Sequence, residues 1–290
     1  MFTGLPLTCR YEAAITNEVL LGEAEIDAWS ICVASVLLWG AQPMLIPLIV
    51  TAVGIGMIIY EYSRPGRNWP AVRGWWLRAA LFNSFQVFSV WFAGVAWDSW
   101  LVQHRFFSLA RLGTYGEALL GYFATTFVFY WWHRWRHASP FLWRWVHQIH
   151  HSPQRLEVIT SFYKHPFEIL LDSLIMSVIL YLGVGIEPVA AAGAVMLSGL
   201  AELVYHWNVK TPRWLGYIFQ RPESHCIHHQ EGVHAFNYSD LPMWDMLFGT
   251  FRNPREWDGQ CGFGPTGESR LGEMLLGVDI YQSDVSEVSK

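Results

Sequence analysis

The chain has 290 residues, of which 52% are hydrophobic, 16% aromatic and 15% charged, with 17 tryptophans and a formal net charge of -5. This balance excludes a nucleic-acid binder, which would carry a clustered basic face, and it disfavours a soluble domain, because amphipathic rings in such numbers collect where a membrane meets water. Four cysteines, Cys9, Cys32, Cys226 and Cys261, stand far apart without a CxxC pair, so no zinc ribbon, iron-sulfur centre or disulfide framework is indicated and a reducing compartment fits.

The first twenty residues lack a basic segment followed at once by an apolar run and a small-residue cleavage site, so no removable signal peptide is expected. Residues 29–40 are apolar but short, and read as a first span, a re-entrant piece or an interfacial helix. Residues 43–60 and 79–97 carry no charge and are about as long as a bilayer core requires, so each predicts a transmembrane helix. Residues 118–132 are shorter, but Gly116 and Glu117 on one side and an aromatic cluster on the other extend them to a third span. The stretch 169–201 contains Asp172 and is divided by Gly183, Gly185 and Pro188, which predicts two antiparallel helices joined by a short turn. Residues 267–290 predict a surface helix on the LGEMLLGV patch, then a frayed terminus. The expected fold is all-α, a polytopic transmembrane helical bundle of about 4–6 spans. It divides into an N-terminal segment 1–42, a membrane-bound domain 43–265 and a C-terminal tail 266–290.

Loop charge gives an orientation. Arg64, Arg67, Arg73 and Arg78 follow the first long span; Arg134, Arg136, Arg144, Arg155 and Lys164 follow the third; Lys210, Arg213, Arg221, Arg252 and Arg255 follow the last, while the intervening loop has only Arg105 and Arg111. Basic residues favour the cytoplasmic side, so these loops are expected there, and the histidines with them.

Eleven of the twelve histidines lie after the third span, mostly in groups: His133 and His137; His147, His150 and His151; His225, His228 and His229; with His206 alone. On a helix, positions i, i+3 and i+4 share a face, so each group is expected to aim its imidazoles at one point. Neutral imidazole is a good ligand for iron, zinc and copper, and nine exceed what one ion can use, whereas two ions can use them. A soluble di-iron bundle mixes Glu with His; here the supply is almost wholly imidazole, which leaves metal charge uncompensated and suits an oxidising site. A lone HxxxH pair is weak evidence, because a helical surface carries such pairs by chance, but two separate HxxHH groups are specific. Bis-histidine haem is disfavoured, since its ligands face one another from within spans. A non-redox metal transporter is disfavoured because the spans offer few polar residues.

With these residues in view, the chain resembles the fatty acid hydroxylase superfamily, also called the sterol desaturase family, over residues 113–254. Its pattern of HxxxH, HxxHH and HxxHH boxes is matched by His133/His137, His147/His150/His151 and His225/His228/His229. The stretch ending Lys164-His165-Pro166-Phe167-Glu168 is similar to the family's R-x-HP-x-E element, His206-Trp207-Asn208 to its H-x-N, and Asn237-Tyr238 with Trp244-Asp245 and Phe248-Gly249-Thr250 to its closing segment. The resemblance implies a helical membrane domain capped by a cytosolic dinuclear site. Iron is then the metal and O2 the co-substrate, with the nine box histidines as ligands and catalytic residues. It also implies hydroxylation or desaturation of a lipid-like substrate, with ether cleavage or aldehyde deformylation as other outcomes. No GxGxxG loop, iron-sulfur pattern or haem domain is present, so a separate electron donor, a ferredoxin or b-type cytochrome with its reductase, is expected. Glu202 stands where some relatives place another histidine and reads as a carboxylate ligand, as a polar residue with no metal contact, or, the favoured reading, as a carboxylate that holds His206. Glu168 and Asp245 read equally as acceptors behind the ligands and as ordinary helix-cap or salt-bridge residues, and His165 is expected to be site-lining or structural. His234 is a weak candidate, and His104 an interfacial residue on the other side. Trp131, Trp132, Trp135, Trp143 and Trp145 are expected mainly to anchor the interface.

Overall fold

The computed structural model describes residues 48–281. The expected short helix at 29–40, the start of the 43–60 span, Cys9, Cys32 and the last residues of the tail lie outside them. Helix α1 is Leu48–Ser63. Helix α2, Trp75–Gln103, contains a π-helical turn at Gly94–Asp98. Helix α3 is Gly113–Ala138. The short pieces Pro140–Leu142, Trp143–His147 and Gln148–His151 run on as one helical stretch, α4. Helix α5, Pro166–Val184, ends in a π-helical segment, and α6 is Pro188–His206. Four short helices follow: α7 (Pro222–His228), α8 (Pro242–Leu247), α9 (Gly264–Ser269) and α10 (Leu271–Leu275). Among the described residues there is no strand, only an isolated bridge between Gln230 and Cys261.

Proline starts much of this. Pro140, Pro166, Pro188, Pro222 and Pro242 open α4 to α8, where a fixed φ suits the helix and the missing N–H would have had no partner. Ser139 and His165 complete two of these starts, accepting from the backbone N–H of Leu142 and Phe167.

Three helices, α2, α5 and α6, are long and apolar enough to cross a membrane. The predicted pair in 169–201 therefore forms as expected, and α2 encloses the predicted 79–97 span. Helix α1 is apolar but shorter within the described residues. The predicted third span forms as part of α3, but α3 is not among the three: it carries Glu117 and ends in the polar run His133–His137.

The connections sort to two ends. At one, the loop after α2 meets the α5–α6 turn: Leu109 N–H donates to the Gly185 carbonyl, and Arg105 pairs with Glu187 at 2.8 Å. Gly185 has φ 74°, and a Cβ there would stand 2.4 Å from the Phe107 carbonyl oxygen, so only glycine closes this turn. At the other end, Glu61 near the close of α1 accepts from the backbone N–H groups of Val158 and Asn208, and Trp75 at the start of α2 donates to Glu157. The closing turns of α3 and α6 lie with this second end, through the histidines they carry. Small residues let α3 and α6 pack closely: Ala118 and Gly121 meet Ala190, Ala191 and Ala194, with Leu180 and Ile186 beside them. The LGEMLLGV patch packs on one side and faces outward on the other, with Leu276 and Val278 exposed. Met274 is fully buried in a core with Trp75, Trp143, Ile149, Tyr163 and Phe263, because apolar residues at the histidine end need cover that the short helices supply.

Candidate metal centre

Helix α3 delivers His133 and His137 from its last two turns, α4 delivers His147, His150 and His151, α6 ends on His206, and α7 with the residue after it delivers His225, His228 and His229. All nine predicted histidines come together, in two groups. One contains His133, His137, His147, His151 and His228, the other His150, His206, His225 and His229; within each, one ring nitrogen per residue lies within 4.8 Å of all the rest. The expectation that each HxxHH run would aim at a single point does not hold. His150 and His151, adjacent and about 100° apart around a helix, serve different groups, as do His228 and His229.

The hydrogen bonds settle which nitrogen faces inward. His133 Nδ1–H donates to the Tyr238 carbonyl at 2.8 Å and His147 Nδ1–H to Glu168 Oε1 at 2.8 Å, while their Nε2 atoms face each other at 3.0 Å. His151 Nε2 meets His147 Nε2 at 3.0 Å as well. In the second group His206 Nδ1–H donates to the Glu202 carbonyl, and its Nε2 stands 3.1 Å from His225 Nε2, which is 3.1 Å from His229 Nε2. His228 Nδ1–H donates to the Phe236 carbonyl, and its Nε2 is buried without a partner, as is His137 Nε2. When Nδ1 carries the proton of a neutral ring, Nε2 presents a lone pair. Lone pairs at 3 Å repel unless a cation or proton lies between them. Burial opposes the proton: it holds His147, His150, His151, His225 and His229 well below the ordinary imidazole value and pushes His228 down to about 3. The donor set therefore fits two cations.

Behind the rings lie residues that fix them. Glu168 joins His147 to the buried Arg136, which also reaches Asp172 at 3.3 Å, and Asp172 accepts from Trp132 Nε1. Gln220 meets His225 Nδ1 at 2.9 Å, and an amide oxygen in that place would accept Nδ1–H and free Nε2. Glu202 does not act as predicted: its carboxylate pairs with Lys164, and its backbone carbonyl holds His206. This follows from helix geometry, since a carbonyl four residues back lies directly beneath the ring. Asp245 accepts from the backbone N–H of Tyr238 and Ser239 and from Thr250 Oγ1, holding the loop rather than a histidine. His165 caps α5 and His104 stacks on Trp100 at the far end. His234, which the motifs ranked low, touches His151, Nδ1 to Nδ1 at 3.0 Å. Its signal was hidden because His234, Phe236 and Asn237 all take positive φ, a strained loop that sequence spacing does not announce. Of the five tryptophans read as anchors, Trp143 instead packs on the His137 and His151 rings, while Trp135 and Trp145 are exposed.

His133, His147, His150 and His225 line a cavity of about 400 Å³ that runs between the apolar helices, past Val50, Ile55, Val87, Phe129 and Val195. Close to the histidines it is lined by Arg136, Lys164, Asp172 and Glu202.

Among the described residues the bundle is all-helical and of membrane type, and two groups of convergent imidazoles at one end could each hold a metal ion. Residues 118–250 match the family described as fatty acid hydroxylase. Similar proteins include a sphingolipid C4-hydroxylase of Schizosaccharomyces pombe, 29% identical over 130 residues, covering 43% of this chain and 44% of the relative. An ornithine lipid hydroxylase of Rhizobium tropici is 34% identical over 143 residues, 48% of this chain and 42% of that protein. A very-long-chain aldehyde decarbonylase of Oryza sativa subsp. indica is 30% identical over 126 residues, 41% and 47% respectively. The match thus spans under half the length of these relatives. No solved structure matches the chain significantly. The stretch that matches the fatty acid hydroxylase family, residues 118–250, contains all nine clustered histidines.

Proposed function

We propose that the chain is a membrane-bound oxidoreductase that oxidises a C–H bond of a lipid-like substrate with O2, most simply by hydroxylation, with desaturation as the alternative fate of the same carbon. The observation that carries this is the pair of imidazole groups opening onto a cavity between apolar helices. The five-histidine and four-histidine groups would each hold one iron ion. Bound there, the iron pair would supply the redox chemistry by which O2 is reduced and the substrate oxidised.

The chain's own residues do the rest. Neutral rings, kept so by burial, offer lone pairs without competition from protons. The Tyr238, Phe236 and Glu202 carbonyls and the Glu168 carboxylate orient four of those rings, the arrangement by which metal-bound histidines gain basicity and fixed direction. The apolar cavity would admit a chain from the bilayer and exclude water, and placement of its carbon against the histidines would decide the product. Electrons would arrive from a separate carrier, a ferredoxin or b-type cytochrome with its reductase, on the basic, cytoplasmic side.

The experiment is metal analysis of protein purified under reducing, anaerobic conditions, followed by product analysis in cells with and without the gene. About two iron ions per chain are expected, by the division of donors into two sets, together with an oxygenated or desaturated lipid. His228→Ala and His150→Ala, one from each group, should each lower metal content and abolish the product while the protein stays in the membrane. Metal transport without O2 consumption would overturn the proposal, and shortened chains from cleavage would redirect it toward the decarbonylase-like outcome.

A further inference from the structure

Helix α8 lies far from the spans in sequence, yet it packs deep along α3. Trp244 packs at a tilt against Phe123 and Phe127 with ring centroids 5.1 and 4.9 Å away, and its Nε1–H donates to Thr126 Oγ1 at 3.0 Å. Thr126 precedes His133 by seven residues and Phe123 by ten, which at the helical rise is about 10 and 15 Å back from the polar end of α3. Phe123 and Phe127 are themselves partly exposed on the outer side of α3. With Trp244 and Asp245 turned inward, Met243, Met246 and Leu247 form the outer face of α8, 42%, 42% and 67% exposed. They sit at i, i+3 and i+4, a single apolar stripe.

We infer that α8 is a membrane-embedded helix, its Met243, Met246 and Leu247 stripe immersed in the acyl chains of the leaflet nearest the histidines. The inference rests on the membrane reading above and deepens it. Lipid, rather than a protein partner, is the occupant because the stripe continues the outward apolar surface of α3 at the depth set by Thr126. The backbone around it is also satisfied from within, as hydrocarbon demands. Asp245 takes the N–H groups of Tyr238 and Ser239, Ser239 Oγ–H donates to the Thr126 carbonyl, Asn237 N–H to the Thr250 carbonyl, and Thr250 N–H to the Asp245 carbonyl. The exposed Arg213, on a turn that packs against α8, and Arg252 suit the anionic headgroups above. The same loop supplies the Tyr238 and Phe236 carbonyls that orient His133 and His228, so the bilayer steadies acceptors belonging to the five-histidine group.

The test uses the full chain in nanodiscs of phosphatidylcholine and phosphatidylglycerol, with Cys9 and Cys32 replaced by serine and a nitroxide placed at Leu247→Cys. Cys226 and Cys261 are buried and stay unlabelled. Power saturation should show the label open to O2 and shielded from a water-soluble nickel chelate, as at a Val95→Cys reference on α2, whereas an Arg255→Cys label should show the reverse. A Leu247 label that behaves like Arg255 while Val95 reads hydrocarbon overturns the inference and spares the membrane reading. Shielding from both probes would indicate a protein contact and overturn it equally, and a Val95 label reading as aqueous would remove the membrane reading itself.

Discussion

His147 stands between the Glu168 carboxylate on its outer nitrogen and two other imidazoles on its inner one, and Arg136 braces that carboxylate from behind. Glu168→Gln keeps an acceptor for the ring but removes the charge facing Arg136. Metal affinity should fall by about 10–100-fold, read by competition with a chromogenic chelator, and unchanged affinity would refute the role. Glu202→Gln is the contrasting case: because the backbone holds His206, metal content should stay while Lys164, deprived of its partner, costs stability on the order of 1–3 kcal/mol. Acid should act on the metal-free protein through the depressed imidazoles. These rings take up protons on unfolding but not when folded, so the unfolded state binds more protons below its own value of about 6.5. Stability is therefore fully present above that pH and is lost progressively as pH falls toward 3, where His228 and His234 titrate in the fold. Melting temperature of the apo chain should drop across that window; a flat profile contradicts it. Eight of the nine histidines were legible from the spacing of their boxes, and His206 from its place at a helix end and the H-x-N resemblance. Their partition between two groups was not, since it depends on neighbouring residues pointing about 100° apart on helices whose starting phase the sequence does not state.

Among the elements, α3 and α6 matter most, because each ends on clustered histidines and their separation along the whole length sets where those histidines meet. Gly121 faces this seam, where a Cβ would stand 3.3 Å from Ala194 Cβ on α6, 2.8 Å from Ile186 Cδ1 and 3.0 Å from Leu180 Cδ2. Gly121→Leu should overpack this seam at a cost of about 1–3 kcal/mol and weaken binding of both ions although no ligand is altered. A variant that melts and binds metal like the parent would show the seam to be tolerant. The seam was foreseeable only in outline. Uncharged runs announced α2, and the glycines and proline between 183 and 188 announced the turn from α5 to α6, but hydropathy alone does not reveal which helices pair. The contribution of α10 was hidden for a related reason: LGEMLLGV has a periodicity that suits a surface helix, and its burial is decided by Trp75 and Trp143, which arrive from distant sequence.

Across the whole molecule, connections alternate between the histidine end and the far end, and the basic residues follow that alternation. Lys210 and Arg111 are both exposed, on loops at opposite ends. In intact cells a membrane-impermeant maleimide should react with Arg111→Cys and leave Lys210→Cys untouched until the cells are opened. The reverse pattern would turn the protein over and place the histidine end on the outer side.

The adjacent pairs His150–His151 and His228–His229 carry a further implication. Each pair sits on one rigid turn yet feeds both sets of donors, and the His151 and His229 rings stack at 4.2 Å across the divide. Whatever rotates α4 or α7 to receive the first ion also presents the second set, so loading ought to be all-or-none. Chains carrying a single ion should be scarce at every intermediate ratio in native mass spectra.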